Sequence, residues 1–442
     1  MSICHAPTEI FRRLPSLLPS YWQRRRGTLG PPQVLLSLMT MSVLGCKGYE
    51  RTLDELKCRL GEELGWTTPS TTPSGQALSQ ARRKLTPVRC REVVTQVYAL
   101  CTTARSQAAL GYGGLRLLAL DGTKLTLPAY RALREYFGCP VQSPLGPQAS
   151  FTMLWDVGAN QPVDWRVGPY RVCERIHAHE FIAAVGAGDL LLADRNFPSR
   201  RMLLALHERR ADWLMRVRCA GAGTLAEVVA FVAAGISDQQ VTLVQRDHHG
   251  NPLPIALSLS VRLLRKELAD GSVAVFITSL LDPLRHPAAT LIDLYAARWR
   301  VETAFRELKI WYGLERFHAR YPDGISQEIA ALMLFQLLSS ELEAQARIHH
   351  GTTIDPIGPP NEPHQVRQNN LRFNRRIVAD CAVNLLYAAA HGDLHLRQTF
   401  DYSLYRIWRY RQTIRPGRSF PRERKSPARG YRNRAAIGNM ML

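Results

Sequence analysis

Three acidic residues stand out in a chain that carries a formal net charge of +20. Asp121 closes the apolar run LRLLALDG, Asp194 closes the run in GDLLLADRNF, and Glu302 lies among three arginines and a lysine in RWRVETAFRELK, Arg298 to Lys309. A carboxylate at the end of a buried apolar run needs a purpose or a partner. Strand ends in an α/β sheet are also where sites are usually built. Three carboxylates brought together repel, and one or more stays protonated without a counter-charge. Two divalent cations supply that charge. Ions roughly 3.5–4 Å apart can activate an attacking water and stabilise the leaving oxygen of an in-line phosphoryl displacement. Oxygen donors suit Mg²⁺ or Mn²⁺, whereas zinc prefers His or Cys. Simpler alternatives exist for each group. The Asp121-Gly122 pair can cap a turn, and Arg298 with Glu302 can be an exposed i,i+4 pair worth a few tenths of a kcal/mol.

As one helix, the third segment places Tyr295, Arg298, Glu302 and Lys309 within an arc of roughly 60°, along about 20 Å of axis. Ala297, Val301, Ala304 and Leu308 form an apolar stripe opposite. Those four polar residues match a Tyr-x2-Arg-x3-Glu-x6-Lys spacing without a gap, and here the chain resembles the DDE transposases of the insertion-sequence-4 family. LLALDGT resembles the family's first aspartate motif, and Asp194, Arg195, Asn196 and Phe197 resemble its second, Asp-Arg-x-Phe/Tyr.

The resemblance implies a ribonuclease-H-like catalytic core and a cut-and-paste reaction. Water cleaves at the element ends, the freed 3′-OH attacks target DNA, and some members pass through a hairpin. Asp121, Asp194 and Glu302 are then the catalytic, metal-holding residues for two Mg²⁺ ions, with Mn²⁺ as a substitute. Tyr295, Arg298 and Lys309 are expected to grip phosphates, with Arg195 beside Asp194 and Trp299 stacking on an unpaired base. The implied partner is double-stranded DNA, both transposon ends and target, with a dimer or larger synaptic complex. Two other readings fit the same residues: a nuclease of this core that cannot join strands, and a catalytically inactive DNA-binding repressor.

Around these residues the chain divides by texture. Residues 1–108 read as short helices, including PPQVLLSLMTMSVL, TLDELKCRLGEEL and QALSQARRKL, followed by a helix capped by Thr86 with Pro87 at its first position. Arg82, Arg83 and Lys84 suggest a DNA-binding helix end, with a solvated helix end as the alternative. Residues 109–218 alternate strands and helices, as the first part of an α/β core. A β-rich insertion is expected over 219–280 and the helical second part of the core over 281–395, interrupted by the Pro-rich IDPIGPPNEPH. A basic tail follows over 396–442. From Tyr402 onward ten arginines and one lysine face only Glu423, so half the excess charge lies there.

With 57 Lys and Arg against 37 Asp and Glu, an anionic partner is expected, nucleic acid first. The N-terminal MSICHAPTEIFRRLP has no signal-like apolar run, and AALMLFQLL, broken by Gln336, is too short to span a bilayer. A cytoplasmic, nucleoid-associated protein without membrane partners is expected. The nine cysteines include no CxxC pair, which points to reduced thiols. Cys173, His177, His179 and Glu180 in CERIHAHE can be drawn as a metal site, but the stretch also reads as a polar helix start.

Overall fold

The computed structural model describes residues 10, 12–13, 29–46, 48–108, 111–140, 146–221, 223–244, 258–310, 312–350, 367–369, 377–378, 380–381, 384–385, 393–409 and 411–413. Among the described residues, the sheet is preceded by the helices α1 (Pro31–Leu44), α2 (Tyr49–Leu64), α3 (Gly75–Arg82), α4 (Pro87–Leu100) and α5 (Thr102–Ala108). The start of α4 follows the chemistry of its residues. Pro87 takes the first turn, where its missing N–H costs nothing, and the Thr86 hydroxyl accepts from Arg89 N.

An eight-stranded mixed sheet follows. Its strands are β1 (Arg116–Thr126), β2 (Gln148–Asp156), β3 (Gln161–Pro169), β4 (Asp189–Ala193), β5 (Asp212–Val217), β6 (Asp238–Val244), β7 (Ser258–Glu267) and β8 (Val273–Thr278). They lie in the order β3-β2-β1-β4-β5-β8-β7-β6. The meander β1-β2-β3 is antiparallel, while β4 and β5 run parallel to β1. This five-strand unit is the ribonuclease-H-like core expected from the sequence. Helices α6 (Arg131–Phe137), α7 (Glu174–Phe181), α8 (Arg200–Glu208) and α9 (Ala226–Ala234) fall between strands.

The expected β insertion takes a different form. Strands β6 to β8 extend the same sheet, β8 bonding directly to β5 from Leu214↔Thr278 to Val217↔Val275. The stretch also contains α9, whose AEVVAFVAA carries no clear helical signal in the sequence. An apolar run of this kind has no strong period and reads equally as buried strand or helix. Residues 245–257, which hold the expected HHGNP turn, lie outside the described residues.

Alternation along the strands gives the sheet two apolar faces. Leu191, Ala193, Trp213, Met215, Val275 and Ile277 join the large core that also contains the N-terminal helices. Leu190, Leu192, Leu214, Ala274 and Phe276 face the other way, beneath α10 (Ala288–Leu294). Through the large core runs α12 (Pro322–His350), 29 residues long and buried along most of its length. It packs against α1, α4, α5, β3 and α13 (Asp393–Arg409).

Two expectations are corrected here. Arg82 is no DNA contact: it is fully buried, and its guanidinium bonds Tyr49 Oη, Gln327 Oε1, Glu328 Oε1 and the Gly324 carbonyl. A guanidinium this buried needs partners inside the protein, and α12 supplies three of these four, with Tyr49 of α2 the other. Arg83 and Lys84 remain exposed. The basic tail, drawn from residue 396, begins inside α13, where Leu404 and Ile407 are buried. Residues 414–442 and the Pro-rich IDPIGPPNEPH lie outside the described residues. No described helix is long and apolar enough to cross a membrane.

Candidate active site

The three acidic residues are brought together where the parallel ladder ends. β1 and β4 pair through Leu120↔Ala193, and Asp121 and Asp194 are the residues that follow this pair along the chain. β4 stops there, so Asp194 begins a turn in which its Oδ1 accepts from Asn196 N at 2.8 Å. β1 does not stop. It continues against β2 to Thr126, so Asp121 lies within an extended strand rather than in the turn the DG pair suggested. Its Oδ1 accepts from Gly122 N at 2.8 Å.

The third carboxylate arrives on a segment that crosses from one sheet face to the other. After α10 comes one 3₁₀ turn, Tyr295–Arg298, and then α11, Trp299–Ile310. Tyr295 packs in the second core, its ring 4.9 Å from that of Phe276, whereas Val301, Ala304, Phe305 and Leu308 belong to the large core. The crossing places Arg298 and Glu302 over the ends of the paired strands.

This corrects the reading of one continuous helix with a solvent-facing polar row. A 3₁₀ turn winds 120° per residue and breaks the even row that 100° steps would draw. Tyr295 and Arg298 are buried as a result. Tyr295 is not open to a phosphate: its hydroxyl donates to the Ala193 carbonyl at 3.3 Å, next to Asp194, and burial pushes its pKa up to about 12. Arg298 Nη1 lies 3.4 Å from Asp121 Oδ2 and Nη2 lies 2.7 Å from Glu302 Oε1, while its Nε is buried with no hydrogen-bond partner among the described residues. The guanidinium also sits over the ring of Trp299, which is itself 59% exposed. Lys309 Nζ donates to Thr123 Oγ1 and to the Lys124 carbonyl, and lies 3.3 Å from Glu315.

Electrostatics follow from this crowding. Burial pushes the Asp121 carboxyl up to about 7, against the Gly122 N–H and Arg298, which lower it; Asp194 and Glu302 add to the rise. The ionised centre therefore wants more positive charge than Arg298 provides. Its donors are hard carboxylate oxygens, which fit Mg²⁺ or Mn²⁺ in type and charge. In the observed arrangement Arg298 stands between Asp121 and Glu302, and among the described residues no three ligating side chains are gathered closely enough to hold an ion.

Three neighbours carry no signal in the sequence motifs. A Cβ on Gly122 would lie 2.4 Å from Glu174 Cδ, so the first residue of α7 occupies the space that glycine leaves open. Burial raises the Glu174 carboxyl, Lys124 lowers it and Asp194 raises it further. Arg175 and Arg218 share a small cleft with Arg195 and Asn196, where Arg218 Nη2 donates to Asn196 Oδ1 at 2.8 Å. Arg195 thus lies beside Asp194 in a three-arginine cleft. A glycine after Asp121 is the one available hint of a close approach. The metal reading of CERIHAHE fails on its own residues: His177 is buried with Nδ1 3.0 Å from Thr152 Oγ1, and Glu180 accepts from Arg166.

Comparison with known proteins agrees with these motifs. Residues 113–338, just over half of the chain, match the family described as Transposase DDE domain. The chain is 26% identical over 320 residues to the transposase InsG for insertion sequence element IS4 of Escherichia coli (strain K12), covering 70% of this chain and 69% of that one. It is 27% identical over 248 residues to the putative transposase InsL for insertion sequence element IS186A of the same organism, covering 48% of this chain and 66% of that one. Among solved structures, a piggyBac transposase synaptic complex with hairpin DNA aligns over 91% of this chain and 85% of its own, with 13% identity and a TM-score of 0.42. The matched span begins just before β1, runs through the sheet and α11, and ends within α12, and the chain belongs to the DDE transposases of the insertion-sequence-4 family.

Proposed function

We propose that the chain cleaves DNA at the ends of its element and joins them to a target, with Asp121, Asp194 and Glu302 as the catalytic carboxylates. The observation that carries this is the convergence of the three on one end of the β1–β4 ladder, beside a buried guanidinium. The ions expected here are two Mg²⁺, or Mn²⁺, held by these carboxylates. When bound, they supply the charge that activates the attacking oxygen and steadies the leaving one.

The chain's own residues do the rest. Arg298 neutralises Asp121 and Glu302 and keeps both oriented toward the strand ends. A planar guanidinium suits this two-carboxylate contact better than an ammonium. Lys309, Arg195, Arg175 and Arg218 flank the centre as phosphate contacts. Trp299 offers an exposed ring for stacking. Tyr295 acts as a positioning residue that fixes the end of β4 through Ala193. Synapsis of two ends requires at least two copies on DNA.

Asp121→Ala, Asp194→Ala and Glu302→Ala are each expected to lower nicking of an end duplex by about 10³-fold or more. Gel-shift affinity should stay within a few-fold, because it rests on many Lys and Arg contacts. Wild-type nicking by any one variant removes that residue from the centre. Nicking without strand joining would favour the nuclease reading.

A further inference from the structure

A second candidate site lies away from the carboxylates, between the N-terminal helices and the sheet. It is a cavity of about 560 Å³ whose walls include Tyr49, Arg83, Tyr130, His318, Arg320 and Tyr321. Tyr49 opens α2, Arg83 follows α3, and Tyr130 follows β1. His318, Arg320 and Tyr321 come from the connection between α11 and α12. Among the described residues no acidic side chain lines it.

The wall pairs cations with rings. Arg320 lies over Tyr130 at 5.1 Å, and Arg83 lies over Tyr321 at 5.6 Å. Two polar atoms here, Tyr321 Oη and His318 Nδ1, are buried without a hydrogen-bond partner among the described residues; Glu328 stands 3.9 Å from His318 Nδ1, beyond hydrogen-bond reach. Unpaired buried polar atoms beside a cavity call for a partner. Arginines on tyrosine faces, with no acid among them, suit a ligand that is both anionic and aromatic. The volume is within the range of ring-bearing ligands. A simple anion would use the arginines and leave the rings without a role.

Position narrows the choice to DNA. β1 runs from the Asp121 centre toward this cavity, and strand rise places Thr126 about 17 Å beyond Asp121. Lys309 lies along the way, its Nζ on Thr123 and Lys124 of the same strand. We propose that the cavity seats one unpaired nucleotide of a DNA strand that leaves the carboxylate centre along β1. Its base stacks on Tyr130 and its phosphate meets Arg83 and Arg320. The proposal rests on the DNA-cleavage reading above.

Full-length protein is titrated with a short oligothymidylate carrying one 2-aminopurine, and with a blunt duplex of the same length. Tyr130→Ala, which removes a ring and no charge, should weaken single-strand binding about tenfold. Tyr130→Trp should restore it, and duplex affinity should change less than about twofold. Equal single-strand affinity in wild type and Tyr130→Ala overturns the proposal. So does displacement of the probe by free dAMP but not by unlabelled oligothymidylate, which would assign the cavity to mononucleotides. Nicking of an end duplex by the same wild-type preparation is followed in parallel. Nicking with unchanged Tyr130→Ala binding overturns the cavity assignment alone, whereas no Asp121-dependent nicking overturns the cleavage reading and this proposal with it.

Discussion

Asp121 is held in a place that suits its charged form poorly, and this has a measurable consequence. Burial pushes its carboxyl up to about 7, from 3.8 for the free group. Between those values the native state binds a proton that the unfolded chain has released. Stability should therefore fall as pH rises through this window and level off above it. Asp121→Asn removes the titration, so the variant should gain on wild type as pH rises from 4 to 7, by an amount on the order of 2–4 kcal/mol. Thermal melts in EDTA at pH 4.5 and pH 8 test this; an equal difference at both would mean that Asp121 is not desolvated as the geometry requires. Its neighbour makes a sharper steric test. Gly122→Ala places a methyl against the Glu174 carboxyl, a flexible side chain that can swing aside, and should destabilise by about 1 kcal/mol, the low end of overpacking. Adding Glu174→Ala should recover most of that loss. Independent, additive effects in the double-mutant cycle would show that the two side chains do not compete for one space.

At the scale of elements, α3 and α12 are joined by a buried ion pair and its hydrogen bonds. Arg82 and Glu328 are 0% and 3% exposed in their side chains, 3.1 Å apart, and Gln327 Nε2 donates to the Arg82 and Leu85 carbonyls. Removing one partner strands a buried charge, so Arg82→Ala should cost about 3–5 kcal/mol. DNA affinity per folded molecule should be unchanged, and a gel shift on the folded fraction separates this from a phosphate contact. In the sequence Arg82 differs in nothing from Arg83 beside it; only the approach of α12, some 245 residues on, decides which is buried. The same holds for the site. Asp121, Asp194 and Glu302, the proposed carboxylates, are legible because two apolar runs end in aspartate and one spacing repeats a signature. Glu174, Arg175 and Arg218 are not, because the sheet order alone brings α7 and the end of β5 to the centre. Helical periodicity puts Tyr295 and Arg298 on the wrong surface for a local reason: four residues of 3₁₀ geometry carry them over the sheet edge, and composition does not distinguish that turn from a helix.

For the whole molecule, the uneven spread of charge separates folding from DNA attraction along the chain. Residues 414–442 hold seven arginines and one lysine against Glu423, a net of +7 out of +20. Just before them, α13 places Leu404 and Ile407 fully in the large core against α12. The two stretches should respond differently to truncation. Ending the chain at residue 413 removes charge but no described core residue, so the melting temperature should hold within about 2 °C. Affinity for DNA should fall, and its salt dependence should flatten by roughly 0.9 for each phosphate no longer neutralised, about 3.6 for four phosphates. Ending it at residue 401 also opens the core beside α12. Loss of two buried aliphatic side chains should then cost several kcal/mol, on the order of 2–5 each. Melting curves and affinities at several salt concentrations for the two truncations distinguish the cases. An unchanged salt slope after the cut at 413 would mean that the basic stretch does not touch DNA, and the excess charge that binds it would have to lie on the folded surface around Arg195, Arg175 and Arg218.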